Sequence, residues 1–211
     1  PRILDVPAEH VHAKARMRSR GGSQYGKQGA GKGGSGERAN IARRRLPLIE
    51  EGGLTFAVNF DDYLDVGIFL DHRVTRNLVR EHAKQARRFL NLFAYTGGAT
   101  VACARAGASV CHVDAAKGMV LWAKENAKAS GLEDRPIRWI VDDCAKFVQR
   151  EIRRGSRYDA VIMDPPSYGR GPNGEIWKLE DNVYDLITLT EQVLSDKPLF
   201  FVINSYTEGL S

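Results

Sequence analysis

The feature that most constrains this chain is a series of short apolar segments, each closing on a glycine turn or on acids, with helical patterns between them. FLNLFAY (89–95) runs into Thr96-Gly97-Gly98, and SVCHVD (109–114) ends on Asp114. IRWIVDD (137–143) ends on Asp142 and Asp143, and YDAVIMD (158–164) ends on Asp164, followed by Pro165 and Pro166. A further apolar segment, PLFFVINS, covers 198–205. These near-continuous apolar runs suit strands covered on both faces. Between them, helical spacing falls over ATVACARAGA, AKGMVLWAKENAKASG (116–131), AKFVQREIRRG (145–155) and LEDNVYDLITLTEQVLS (179–195), with Gly131 as a C-terminal cap. Upstream, LTFAVNF (54–60) and YLDVGIFLDHR (63–73) read as strands, and 74–87 as an amphipathic helix. This alternation predicts an α/β fold, a mostly parallel sheet with helices on both faces.

The composition fits such a domain: 211 residues, 43% hydrophobic and 27% charged, with a mean hydropathy of −0.36. No apolar run approaches the ~18 residues of a membrane span, and no secretory signal stands at the start. Opening on Pro1, the chain reads as a fragment, with a further domain possible on either side. Cys103, Cys111 and Cys144 form no CxxC and no metal-ligand spacing, so no metal is expected and the chain reads as reduced and cytoplasmic.

Charge is unevenly spread. Residues 1–45 hold 11 Lys/Arg against 3 Asp/Glu, and the rest hold 20 against 23. A basic head before a mildly acidic body points to a polyanion such as nucleic acid, although a solvated tail has the same composition. Lys14, Arg16, Arg18 and Arg20 recur every second residue and would share one face of a strand able to track phosphates, with Lys27 beyond them. Eight glycines in residues 21–36 predict a loop that does not order by itself. The expected organisation is a small basic, β-rich or disordered segment, 1–53, before a catalytic domain, 54–211.

In an open α/β sheet the ligand lies outside the carboxyl ends of the strands. Those ends here carry Tyr95 to Gly98, Asp114, Asp143 and Asp164. Gly97 and Gly98 let the backbone approach a ligand. Asp114 could accept ribose hydroxyls, and Asp143 an adenine amino group, with the Cys144 amide against a ring nitrogen. FAYTGGAT lacks the GxGxxG that a pyrophosphate needs. That disfavours a nicotinamide cofactor and fits S-adenosylmethionine (SAM), with Asp71 and Arg73 as partners for its amino and carboxylate groups, unless those two merely pair with each other. In DPPSY (164–168) two prolines fix the backbone, and Asp164 with the turn carbonyls could receive a base edge on which Tyr168 stacks. Cytosine C5 methylation needs a thiolate; no cysteine sits near the Pro-Pro turn or after the last strand, which disfavours it. Guanine N7 needs only alignment, and an exocyclic amine must also shed a proton; the residues do not separate these two. No histidine is assigned a catalytic role.

NLFAYTGGAT, VDAAKGMVLWAKEN, DDCAKF and DPPSY resemble the motifs of Rossmann-like class I SAM-dependent methyltransferases. VHAKARMRSRGGSQYGKQG and LTFAVNFDDYLDVGIFLDHRVTR resemble one subgroup more closely, the RlmK half of the bacterial RlmKL enzymes, which modify guanine N7 of large-subunit (23S) rRNA and are related to the RlmI-type cytosine C5 enzymes. The likeness runs from about residue 6 to 205. It implies that Asp71 and Arg73 flank the methionine end of SAM and that Phe93, Tyr95, Thr96, Gly97 and Gly98 line it. Asp114, with Ala115 beside it, would hold the ribose, Asp143 and Cys144 the adenine, and Asp164, Pro165, Pro166 and Tyr168 would face the target base. The guanine N7 target is implied by the resemblance alone. GRGPNGEIWKLED, after DPPSY, departs from the subgroup, and a final antiparallel hairpin typical of the fold is expected to be missing. The alternatives are another acceptor (guanine N2, cytosine C5 or protein) or an RNA-binding module with an inactive SAM pocket.

Overall fold

The computed structural model describes residues 6–7, 11, 46–60, 66–170 and 176–206. Lys14, Arg16, Arg18, Arg20 and Lys27 lie outside them, as does the glycine-rich stretch. The described part opens with β1 (Leu48–Glu51) and β2 (Leu54–Ala57), paired antiparallel. Gly52 and Gly53, at φ 58° and 74°, make the two-residue turn between them, a conformation that glycine adopts at no steric cost. β1 was not expected, and the boundary read at 53/54 falls inside this hairpin. Trp122 Nε1 donates to the Ala57 carbonyl at 3.0 Å, and the Ala57 amide donates to Asn126 Oδ1 at 2.8 Å. The hairpin is thereby hung on the helix that carries Trp122 and Asn126.

No strand occupies 66–72, the described part of the segment read as a strand over 63–73. The chain there bends at Gly67 (φ 96°), packed so closely on Trp122 that a Cβ would lie 2.3 Å from the ring. α1 (Arg73–Ala83) follows. It ends four residues before the expected 87, where the amides of Arg87 and Arg88 both donate to Asp159 Oδ2 and draw the chain into the sheet.

The remaining elements are β3 (Arg88–Leu92), α2 (Gly98–Ala106), β4 (Ser109–Asp114), α3 (Lys117–Ala129), β5 (Ile137–Val141), α4 (Cys144–Arg153), β6 (Ala160–Met163), β7 (Tyr168–Arg170), β8 (Ile176–Lys178), α5 (Leu179–Glu191) and β9 (Phe200–Ile203). Five of the strands form the central sheet in the order β5-β4-β3-β6-β9, parallel throughout. Alternate residues feed opposite layers, as the pleat requires. Phe89, Val110, Ala160 and Ile162 pack with residues of α1, α2 and α3; Leu90, Leu92, Cys111, Val161 and Met163 pack with residues of α4 and α5. The apolar runs of β3, β4 and β6 are therefore buried on both sides, as expected, while the edge strands β5 and β9 are only partly buried. The chain leaves β3 in one direction through β4 and β5 and in the other through β6 and β9. The switch point lies between the carboxyl ends of β3 and β6, where a ligand crevice forms. The antiparallel β7–β8 hairpin, in the segment that departs from the resembled subgroup, was not expected. Among the described residues, no helix is long and apolar enough to cross a membrane.

Candidate cofactor and acceptor site

β3 stops at Leu92 rather than at Tyr95 because Phe93 and Tyr95 take positive φ, 53° and 50°. Such a conformation costs a non-glycine residue roughly 1–2 kcal/mol, so the surroundings must hold it. The Phe93 amide donates to Cys144 Sγ (3.3 Å), Ala94 N–H to the Val113 carbonyl (3.1 Å), and Tyr95 N–H to Asp114 Oδ2 (2.8 Å). Thr96 Oγ1 donates to the Gly67 carbonyl at 2.6 Å, and Asn126 Nδ2 donates to the Thr96 carbonyl at 2.8 Å. At Gly97 (φ 80°) a Cβ would come within 2.8 Å of Ala123, so this glycine serves the close packing of α2 on α3 as well as the turn.

A pocket opens at the switch point. Its walls include Phe69, His72, Phe93, Tyr95, Thr96, Gly98, Ile162, Asp164 and Asn204. The site residues read from the sequence divide around it. Phe93, Tyr95, Thr96, Gly98 and Asp164 line it, with Gly97 in the turn between. Asp71 and Arg73 are exposed at its rim and are not among its lining; Asp71 meets Tyr206, and His72 and Arg76 of the same segment line the pocket instead. Asp114 stands at the tip of β4, where burial raises its carboxyl above the usual range. Each oxygen already accepts one backbone amide, Tyr95 on Oδ2 and Ala116 on Oδ1, both at 2.8 Å. A carboxylate oxygen has a second lone pair, so two hydroxyls can still be received. Ala115 lies exposed beside it.

Asp143 caps α4, accepting the Lys146 amide at 2.9 Å. Cys144 begins that helix, and its amide belongs to a first turn whose N–H groups have no partner within the helix. Its thiol is buried and accepts the Phe93 amide. Burial pushes all three thiols up, Cys111 to about 11 and Cys103 and Cys144 further, so each stays protonated.

The Pro165–Pro166 turn, expected to face the acceptor, differs from its expected form in one respect. The Pro166 carbonyl, expected to be open to a base edge, accepts Trp177 Nε1 at 2.6 Å. Trp177, on β8, also packs on Phe93 with 5.9 Å between ring centroids, so the hairpin is tied to both the acceptor turn and the first loop. Pro165 is buried beneath the turn and Tyr168 is exposed at 41%. Asp164 is pushed up to about 7, first by burial and then by the charge of Asp71, and His72 Nδ1 lies 3.7 Å from its Oδ2. Trp177, His72, Arg76, Asn204 and Tyr206 were not among the expected site residues. The histidine in FLDHR stood next to two that were, and was the one available signal.

A family model described as S-adenosylmethionine-dependent methyltransferase matches residues 30–207. The chain belongs to that family. Its donor set suits SAM: an apolar-walled pocket with a carboxyl at one end, and a carboxylate with hydroxyl-accepting capacity on the next strand. The SAM-dependent methyltransferase of Agrobacterium tumefaciens is similar in structure, with a TM-score of 0.74 and 40% identity over 80% of this chain and 55% of that one. A structure described as a methyltransferase complexed with SAH has a TM-score of 0.69 and 30% identity, over 75% of this chain and 42% of that one. In sequence, the "Ribosomal RNA large subunit methyltransferase K/L" of Methylococcus capsulatus is 41% identical over 169 residues, 80% of this chain and 21% of that protein. The chain spans about a fifth of the length of the curated relatives it matches. The five parallel strands and their flanking helices give this methyltransferase a Rossmann-like class I architecture.

Proposed function

We propose that this methyltransferase acts on large-subunit rRNA and that its acceptor is guanine N7. The observation that carries the rRNA reading is the 41% identity, over 80% of the chain, to a protein named for that activity. SAM supplies an electrophilic methyl group on a sulfonium. The chain's part is to hold donor and acceptor in line, which can contribute several kcal/mol to lowering a barrier. Asp114 receives the ribose, Asp143 and the Cys144 amide take the adenine, and Asp71 and Arg73 guide the methionine end from the rim. Phe93 and Tyr95 wall the pocket, while Asp164, Pro165, Pro166 and Tyr168 present the base. Lys14, Arg16, Arg18, Arg20 and Lys27 draw in the phosphate backbone.

The protonated thiols support this choice of atom over cytosine C5, which needs a thiolate nucleophile. Guanine N7 already carries the attacking lone pair. The test incubates the protein with unmodified large-subunit rRNA and labelled SAM, digests the RNA to nucleosides and identifies the product by mass spectrometry. The expected product is 7-methylguanosine. A methylated amine or 5-methylcytidine overturns the acceptor atom and leaves the rRNA reading standing. No label with SAM bound overturns rRNA as the acceptor of this chain.

A further inference from the structure

The turn before α1 contributes an aromatic ring to the pocket wall. Phe69 is half-buried and lines the pocket. Its carbonyl accepts the His72 amide at 3.2 Å and Arg76 Nη1 at 2.7 Å, so the backbone that carries the ring is fixed. Three rings surround it: Tyr95 at 5.3 Å between centroids, His72 at 5.5 Å and Tyr206 at 6.3 Å. All three are tilted, by 45°, 37° and 41°, so none of them lies flat against the Phe69 face. An aromatic face carries the negative side of the ring quadrupole and attracts a cation within about 6 Å of its centre. Nothing on the wall opposes such a cation among the described residues. Arg76, the one Lys or Arg there, has its charge answered by both oxygens of Glu51. Burial lowers His72, so its ring is uncharged at neutral pH.

We propose that Phe69 reads the charge of the cofactor: its ring face takes the sulfonium of SAM, so the pocket favours the charged methyl donor over the neutral thioether left after transfer. The position follows from the strand tips. With the ribose at Asp114 on β4 and the adenine at Asp143 after β5, the methionine side of the cofactor runs back over β3 toward the switch point, where Phe69 stands. The inference rests on that proposed seating and not on the identity of the acceptor. SAM and S-adenosylhomocysteine differ by one methyl group and one positive charge and share their ribose, adenine, amino and carboxylate groups. Asp114, Asp143 and the Cys144 amide therefore have no means of telling them apart, whereas a ring quadrupole does. Phe93, the other phenylalanine on the wall, packs its ring on Trp177 of β8, with 5.9 Å between centroids. Preference for the charged form makes the spent cofactor the weaker ligand, so that it gives way to fresh SAM.

The test compares SAM with S-adenosylhomocysteine by titration calorimetry on the whole chain and needs no acceptor. Phe69→Leu keeps an apolar side chain and removes the ring. It should weaken SAM roughly 3- to 30-fold, the range open to a cation–π contact, and leave S-adenosylhomocysteine at its wild-type affinity. Phe69→Tyr keeps an aromatic face and should bind SAM as the wild type does. Pentafluorophenylalanine in place of Phe69 keeps the shape of the ring and reverses its quadrupole, so it should weaken SAM alone, and it decides the matter if Phe69→Leu does not fold. An equal loss for both ligands in either variant means that the ring acts through packing, and overturns the proposal. Unchanged SAM affinity overturns it as well. Failure of the cofactor seating has a different signature: Asp114→Ala, which should weaken both ligands by the same factor, would leave both unchanged.

Discussion

Asp114 Oδ2 accepts the amide of Tyr95 at 2.8 Å across the tips of two neighbouring strands. The contact places the carboxylate under the left-handed turn that walls the pocket, so the side chain stabilises a strained loop at the proposed ribose site. Replacing Asp114 by Ala leaves the amides of Tyr95 and Ala116 without their acceptor. SAM affinity should fall by about 1–3 kcal/mol, the scale for leaving buried donors such as the ribose hydroxyls unpaired, and titration calorimetry measures it. Asp114→Asn keeps an acceptor oxygen and should lose less. Unchanged affinity in Asp114→Ala removes the residue from the cofactor site.

How much of this was legible in the sequence depended on how local its cause is. β3, β4 and β6 were readable because burial on both faces demands a near-continuous apolar run, and the partly buried edge strands β5 and β9 carry apolar runs of the same kind. The acids at their ends were readable for the same reason. The strand read over 63–73 is absent from its described residues because the chain bends at Gly67 against Trp122, 55 positions away in the sequence, and nothing in DVGIF itself announces that contact. β1 is a four-residue segment stabilised by its partner strand and by the Glu51–Arg76 pair with α1, with no pattern of its own. The reach of Tyr206 to Asp71 spans 135 positions, and Trp177 meets a carbonyl on a turn 11 positions back. Tertiary geometry alone makes these pairs.

Trp177 gives the next prediction. Trp177→Phe keeps an aromatic ring against Phe93 and removes the N–H from the Pro166 carbonyl. The half-buried carbonyl can be rehydrated, so the loss of stability should be about 1 kcal/mol, the net value of one hydrogen bond. The larger effect should be on the acceptor side, with slower methyl transfer at unchanged affinity for S-adenosylhomocysteine. Urea denaturation and single-turnover rates check the two parts. A wild-type rate detaches the β7–β8 hairpin from acceptor presentation.

The Glu51–Arg76 pair ties the first hairpin to α1 beside the pocket. Arg76 Nε and Nη2 reach the two carboxylate oxygens at 2.8 Å each, and the side chains are only 7% and 13% exposed. Glu51→Ala leaves a largely buried guanidinium without its counter-charge and should cost about 3–5 kcal/mol, the range for breaking one partner of a buried pair. Replacing both residues by Met should cost much less, since no charge is then stranded. Chemical denaturation of the single and double variants decides it. Equal losses in the two variants would mean that packing, not charge, holds this junction.

Acid should destabilise the fold in two stages. His112 is fully buried, its Nδ1 on Thr100 Oγ1 at 2.9 Å and its Nε2 without a partner among the described residues. Burial lowers it from 6.5 to about 3. Between those values the unfolded chain binds a proton that the folded chain refuses. Its contribution is therefore complete above pH 6.5 and erodes as pH falls toward 3, with a slope approaching about 1.4 kcal/mol per pH unit. Glu151 adds the second stage. Burial raises its carboxyl, but hydrogen bonds from Tyr158, Ser156, Arg154 and Arg138 outweigh that and bring it from 4.5 down to about 2. A depressed carboxyl contributes stability that is complete above pH 4.5 and is lost as pH falls toward 2. Below pH 6.5 the urea midpoint of the wild type should therefore lose ground against that of His112→Gln, and both should decline further as Glu151 takes up its proton. His112→Gln should flatten the portion between 6.5 and 5 while leaving the more acidic decline. Asp164, raised to about 7, works in the opposite direction over the same range, because the folded chain keeps a proton that the unfolded chain releases; an identical pH dependence of wild type and His112→Gln between 6.5 and 5 would therefore contradict a neutral buried His112.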